Sequence, residues 1–397
     1  MRQAYRILPV YTGDVSGVCS ALYELGGMVV MHDPSGCNST YNTHDEVRWY
    51  RQDSLIFLSG LCEPDAVMGN DDKFIQDVIR AAEAYNPAFI ALCNSPIPYL
   101  TGTDFAGICA ILQKETGIPS FYIPTNGMHD YVVGAGLALE KLAESLFEIS
   151  SADLSGSFSL NAPGGKPRIN ILGMTPLDFA AKGSSASLRQ LLEEEGFAVQ
   201  SVWAMDDSLE SLRKAPAASA NLVISAAGLR TAGYMKKRFG IPWVAGIPVG
   251  IMRERVIEAL RISIRTRLCA KAYEKNGSDT EQPSAIVIGE PVAACSIAAC
   301  CEEKGMTACV LAATEESDSL IRAGDRICRG EEEIENALEA LGSRCQKIIA
   351  DPMYRYVCPE GPAFEAVPHL AFSGRIYRRE FRDPFQDSFF NKDLTLF

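Results

Sequence analysis

Met28-Val29-Val30-Met31-His32-Asp33-Pro34-Ser35-Gly36-Cys37 is a short apolar run that halts at a Pro-Ser-Gly turn and hands over a cysteine. Read as a strand ending in a loop, Met28–Met31 has counterparts at Leu55–Leu58, Ala88–Leu92 and Ser120–Ile123. Longer amphipathic stretches, Asp71–Tyr85 and Asp104–Thr116, lie between them and read as helices. Short apolar runs alternating with helices predict a parallel sheet flanked by helices. The rhythm returns downstream with strands at Arg168–Leu172, Ala198–Trp203, Leu222–Ser225 and Trp243–Ala245 and helices at Ser187–Glu195 and Thr231–Phe239. It returns again with strands at Ala285–Ile288, Thr307–Leu311, Lys347–Ala350 and Ala366–Ala371.

Two polar stretches interrupt this rhythm, Ser150–Ser157 running on to Asn161–Gly165, and Asn276–Pro283; both read as linkers. The expected fold is therefore α/β: three Rossmann-like domains, each a mostly parallel sheet flanked by helices. Their expected limits are 1–150, 166–275 and 284–373, followed by an aromatic and basic tail over 374–397. In that tail Tyr377, Phe381, Phe385 and Phe389 recur every fourth residue among arginines. They either fold back on their own chain or anchor a neighbouring subunit.

The chain has 397 residues, and its charge is 37 − 50 = −13 with no long Lys/Arg run. That balance disfavours nucleic acid and anionic lipid as partners. No apolar run approaches the roughly 18 residues of a membrane helix, and Ile7–Val10 is too short for a signal-peptide core. The expectation is a cytoplasmic protein. In a reducing compartment the 13 cysteines are not a disulfide scaffold, which leaves packed thiols or metal ligands.

Position sorts them. Ligands in open parallel sheets sit beyond the carboxyl ends of the strands. Cys37 follows the first strand, Cys62 the second and Cys93 the third, in loops shaped by Gly and Pro. Cys37 and Cys93 read as ligands. Cys19, in a helix opened by Asp14, is open between packed thiol and ligand, because Val15, Val18, Leu22 and Leu25 form an apolar stripe beside it. Cys62 reads as structural. Cys109 reads as core, as do Cys295, Cys300 and Cys301 in a helix of small apolar residues. His44-Asp45-Glu46 reads as a solvated helix face or a ligand-orienting group, and His129 as a weaker instance. No C-x-x-C occurs, which argues against a thioredoxin-type pair and a ferredoxin-type run. No G-x-x-x-x-G-K-[ST] occurs, so the chain is not expected to hydrolyse nucleotide itself. Gly134-Ala135-Gly136 lacks a third glycine and reads as helix packing.

These residues resemble the core of the nitrogenase component 1 superfamily. Met31 to Cys37 is similar to its H-G-P-x-G-C cluster loop, with Asp33 in the place of Gly. Met68-Gly69-Asn70-Asp71-Asp72-Lys73 resembles its acidic segment, and Cys93-Asn94-Ser95-Pro96 with Gly102-Thr103-Asp104 its third cluster segment. Tyr234 to Trp243 resembles the run before a second-domain strand. Thr12 stands where the family has its first cysteine, with Cys19 roughly two helical turns later. Asp14 is a further possible oxygen ligand. The position at which nitrogenase holds its cofactor by cysteine falls near Ile224-Ser225, so the resemblance is to a nitrogenase-like relative.

The resemblance implies an oxidoreductase component with an iron–sulfur cluster, [4Fe-4S] or larger, at a subunit interface, held by Cys37, Cys93 and Cys19. It implies electrons from an ATP-dependent iron–sulfur reductase, and a homodimer or a heterotetramer with a related component 1 chain. The reduced substrate or metallocofactor would lie in a cleft between the domains. The alternatives are a non-catalytic scaffold for cluster or metallocofactor assembly and a cluster-free binding protein for a tetrapyrrole-like ligand.

Overall fold

The computed structural model describes residues 5–34, 46–49, 51–149, 165–274, 282–374 and 381–386. Its strands form three sheets. The first, in spatial order β2-β1-β3-β4, comprises β1 Met28–His32, β2 Leu55–Leu58, β3 Ile90–Asn94 and β4 Ser120–Ile123. The second, β6-β5-β7-β8-β9, comprises β5 Arg168–Leu172, β6 Ala198–Val202, β7 Ala220–Val223, β8 Trp243–Ala245 and β9 Ala270–Lys271. The third, β12-β11-β10-β13-β14, comprises β10 Ala285–Gly289, β11 Ala308–Ala312, β12 Arg326–Ile327, β13 Lys347–Ala350 and β14 Ala363–Ala366. Every pairing within the three sheets is parallel. Strands such as β1 and β3 are buried along their whole length, which is why they are apolar runs and not alternating ones.

Residues that cap and stop the helices explain their bounds. Asp104 accepts the Gly107 N–H at 3.0 Å and opens the Phe105–Thr116 helix, and Gly117 closes it in the left-handed region at φ 70°. The 19-residue Tyr131–Ile149 helix joins the first sheet to the second. Its Phe147 ring meets Trp203, Tyr234 and Phe239 of the second segment. At its other end it crosses the Asp14–Leu22 helix at backbone contact. A Cβ on Gly134 would stand 1.8 Å from the Asp14 carbonyl oxygen, and one on Gly17 would stand 2.2 Å from that of Tyr131. Helix packing is thus the role of Gly134.

Three expectations shift. The third strand runs Ile90–Asn94, two residues later than its apolar run, so Cys93 lies inside the strand. The seventh strand likewise ends at Val223, and Ser225 instead caps a short 3-10 turn by accepting the Ala227 N–H. The last strand is Ala363–Ala366, and Leu370–Ser373 is a helical turn. There Ala371 exchanges backbone hydrogen bonds with Thr12 and Leu177, so its apolar residues serve a junction and no sheet.

Most of the two linker stretches lies outside the described residues, as do His44 and Asp45. Glu46 is buried and accepts two hydrogen bonds from the Arg48 guanidinium, so it belongs to no solvated face. The described part of the tail folds back on its own chain: Phe385 is buried and stacks on Phe179 at 5.7 Å. No helix among the described residues is long and apolar enough to cross a membrane.

Candidate metal centre and interdomain cavity

Cys93 is paired in register with Met31 on one side and Ile123 on the other. Side chains alternate along a strand, and the alternation separates two chemistries at the end of β1. His32 falls on the face of Phe74 and Phe105, its ring stacked 4.1 Å from Phe74. Its Nδ1 meets Ser59 Oγ at 2.8 Å, and burial pushes its pKa down to about 4. It is a neutral packing residue that fixes the loop after β2. Met31 and Cys93 face the Asp14–Leu22 helix, in one core with Cys19.

Cys19 and Cys93 are both fully buried, and the Cys19 thiol is close enough to act on Cys93. The hydrogen bond with Cys19, then desolvation, raise the Cys93 thiol well above its ordinary range. Cys93 also donates weakly to the Val30 carbonyl at 3.8 Å. The two thiols are thus neighbours in the core, drawn from different elements. A metal that binds here must displace protons and part the two sulfurs. Cys37 lies outside the described residues.

Two carboxylates flank the pair, and both act on the Cys93 thiol. Asp14 is saturated: its oxygens accept the N–H groups of Val15 at 2.7 Å, Asn126 at 3.0 Å and Gly127 at 3.0 Å. Burial raises its pKa, and those N–H groups pull the other way. Asp14 therefore ties the loop after β4 to the helix start and has no oxygen left for a metal. Asp33 is also fully buried, yet neither carboxylate oxygen has a hydrogen-bond partner among the described residues.

The other cysteines sort as their settings dictate. Cys62 is exposed and donates to Asp65 Oδ2 at 2.9 Å. Cys109 is buried, its pKa pushed to about 12 by burial. Cys300 and Cys301 are buried and raised to about 11 for the same reason. His129 is half exposed and meets Glu315 at 2.8 Å. Among the described residues no three His, Cys, Asp or Glu side chains converge as a single metal ion requires. A multi-iron cluster takes one protein ligand per iron and does not require that convergence. The donor set, two thiols beside a bare buried carboxylate, fits such a group.

A second site lies where the sheets meet. A cavity of about 100 Å³ is lined by Tyr11, Asp178, Glu290, Ile297, Tyr354 and His369, among others. Asp178 accepts hydrogen bonds from Tyr131, from Thr175 Oγ1 at 2.8 Å and from His369 Nε2 at 3.1 Å. Burial alone would lower the His369 pKa, but the hydrogen bond and charge of Asp178 outweigh it and the net shift is upward. Glu290 is pushed to about 7 by burial and by the charge of Asp178. Its carboxylate caps the Pro291–Glu303 helix through the Ala293 N–H and also accepts the Ala226 N–H from the second segment, each at 2.8 Å. These residues come from every part of the chain, so no local motif announces them. The one available signal was rarity: His369 is one of only four histidines.

The family model for nitrogenase component 1 type oxidoreductases matches residues 16–346. The chain belongs to that family. It is 30% identical over 230 residues to a component of the light-independent protochlorophyllide reductase of Zygnema circumcarinatum, covering 56% of this chain and 43% of that protein. It is 26% identical over 227 residues to the nitrogenase iron-molybdenum cofactor biosynthesis protein NifE of Klebsiella pneumoniae, covering 56% and 49%. The matches thus span less than half of each of these relatives. A solved structure of nitrogenase Cp1 at pH 5 superposes with a TM-score of 0.54 at 17% identity, over 86% of this chain and 72% of that one. That likeness establishes a shared fold. Within the family the chain is a nitrogenase-like member and not nitrogenase itself.

Proposed function

We propose that this chain is the substrate-reducing component of a nitrogenase-like system. It would carry a low-potential iron–sulfur cluster at a subunit interface and receive electrons from an ATP-dependent iron–sulfur reductase. The observation that carries the reading is the contact of Cys19 with Cys93 at the carboxyl edge of the first sheet. Two residues far apart in the chain are brought together and shielded from solvent. Cys19, Cys93 and Cys37 are the residues that would hold the cluster. When bound, it would supply one-electron transfer, its potential set by burial and hydrogen bonding.

An interface at this edge has support. The short helices Glu63–Met68 and Pro96–Thr101 follow β2 and β3 and pack together. Between them they expose Val67, Met68, Tyr99 and Leu100, at 77%, 79%, 53% and 76% of their surface. So much exposed apolar surface beside the cysteines fits a subunit contact, made with a second copy or a related component 1 chain. In the cavity, Asp178 holds the Nε2–H of His369, which leaves Nδ1 as the ring atom able to give or take a proton. An oxidoreductase substrate seated there would find a proton source in the wall.

Chemical analysis of iron and acid-labile sulfide in anaerobically purified protein, with its paramagnetic-resonance spectrum, tests the cluster. Reductase-driven turnover then separates a catalyst from an assembly scaffold, a reading that the likeness to NifE keeps in play. Protein without iron after anaerobic reconstitution would leave the cluster-free, ligand-binding reading.

A further inference from the structure

We propose that Asp33 is a protein ligand to the metal centre, giving mixed sulfur and oxygen ligation with Cys19 and Cys93. The inference rests on the cluster reading above and adds to it a residue that stands where the resembling loop has glycine.

The argument is a contrast between two buried carboxylates. Asp14 and Asp33 are both fully buried and both act electrostatically on the Cys93 thiol. Asp14 accepts backbone N–H groups from three residues. Asp33 accepts none through its side chain among the described residues. Its backbone is fully engaged: its N–H donates to Ser59 Oγ at 3.0 Å and its carbonyl accepts the Leu61 N–H at 2.9 Å. The main chain is therefore fixed and the carboxyl group is left bare. Burying a polar group without a partner is costly, and a carboxylate more so. Such a residue needs a compensating partner, and a cation is the partner a carboxylate lacks when no donor is supplied.

Position indicates which cation. β1 alternates Val29 and Met31 onto the cysteine face, with Val30 on the other. Asp33 continues the Val29–Met31 series onto the face of Cys93. Cys93, paired with Met31, lies one step back on the adjoining strand. A metal centre taking the thiolates of Cys19 and Cys93 would present positive iron to this carboxyl group. Carboxylate is a harder, weaker electron donor than thiolate, so its iron would be the labile one and the centre would have a higher potential than an all-thiolate one.

The test compares wild type with Asp33→Asn, Asp33→Gly and Asp33→Cys, each purified without oxygen and reconstituted with ferrous iron and sulfide. The Asn and Gly variants are expected to hold one iron fewer per cluster at unchanged sulfide, with an altered paramagnetic-resonance signal. The Cys variant is expected to keep its full iron at a lower midpoint potential. Stability of the metal-free proteins is a second readout. Removing a bare buried carboxyl should leave the Asn and Gly apoproteins melting at or above the wild-type temperature. Wild-type iron, spectrum and potential in all three variants would overturn the proposal. So would apoproteins that melt lower, which would mark Asp33 as an ordinary structural residue. Iron-free wild type would instead remove the cluster reading, and this inference with it.

Discussion

Two regions of the molecule hold cysteines in numbers, and they have opposite characters. At the edge of the first sheet, Cys19 and Cys93 meet across different elements, with two buried carboxylates beside them. On the Pro291–Glu303 helix, Cys300 and Cys301 are equally buried but sit among small apolar residues, while Cys295 donates weakly to Asp325 Oδ2 at 3.8 Å. Thiol burial is the same in both. What differs is the dominant influence: the neighbouring Cys19 thiol comes first for Cys93, and burial comes first for Cys300 and Cys301. A cysteine among methyls is a small apolar residue, and the density of cysteines along the chain says little about chemistry.

Iron content breaks or upholds this contrast most sharply. Cys93→Ala and Cys37→Ala are expected to remove most bound iron, while Cys109→Ala and Cys300→Ala leave it unchanged. Chemical iron analysis of the four proteins is sufficient, and equal iron in all would erase the distinction. For Cys300→Ala the expected loss is in stability alone, about 1 kcal/mol from the small cavity.

The cysteine edge also depends on a crossing that contains no sulfur. Gly134→Ala would force a Cβ to within 1.8 Å of the Asp14 carbonyl oxygen. It should cost about 3 kcal/mol in denaturant unfolding and loosen the helix that carries Cys19. Gly136→Ala in the same helix would bring its Cβ to 3.2 Å from the flexible Arg230 side chain and to 3.5 Å, an ordinary contact, from the Ala227 carbonyl oxygen. The expected change there is within about 1 kcal/mol of wild type. Equal losses from the two would refute the crossing as the reason for Gly134.

A pH-dependent effect concerns the cap of the cysteine-bearing helix. Glu290 is held near 7 against an ordinary 4.5. Between those values the folded chain keeps a proton that the unfolded chain has lost, so this contribution to stability falls as pH rises from about 4.5 to 7. His369, raised from 6.5, acts in the same sense: its contribution is present below that value and is lost as pH rises through the folded one. Glu290→Gln should therefore gain on wild type as pH rises from 5 to 8, by roughly 2–3 kcal/mol over the range. Thermal melts at both pH values read this directly, and a gap independent of pH would contradict it.

Much of this contrast was legible in the sequence, because local composition separates the two settings. Pro-Ser-Gly before Cys37 and Asn-Ser-Pro after Cys93 mark an edge, while Ala-Ala-Cys-Cys marks a packed helix. The strand rhythm was equally plain, since parallel strands buried on both faces must be apolar throughout. What could not be read was any property created by contact. The saturation of Asp14 depends on the N–H groups of Asn126 and Gly127, far along the chain. The isolation of Asp33 depends on the want of any such donor among the described residues. The helical turn at Leu370–Ser373 reads as a strand until its neighbours, Thr12 and Leu177, are known. The cavity draws Tyr11, Asp178, Glu290 and His369 from points spread over the whole chain.

The N-terminal segment has a consequence for the order in which the protein is made. The backbone N–H groups of Arg6, Ile7 and Leu8 donate to the carboxylate of Glu331, and Thr12 donates to the Ala371 carbonyl. A ribosome completes the whole first sheet before either acceptor exists. Until then residues 6–8 lack their acceptor, and the strap is held only near Thr12, whose carbonyl accepts the Tyr131 N–H at 2.7 Å. Closure by such distant contacts comes late and slowly. The growing chain therefore passes through an interval in which the first sheet is complete and the strap across it is not yet closed.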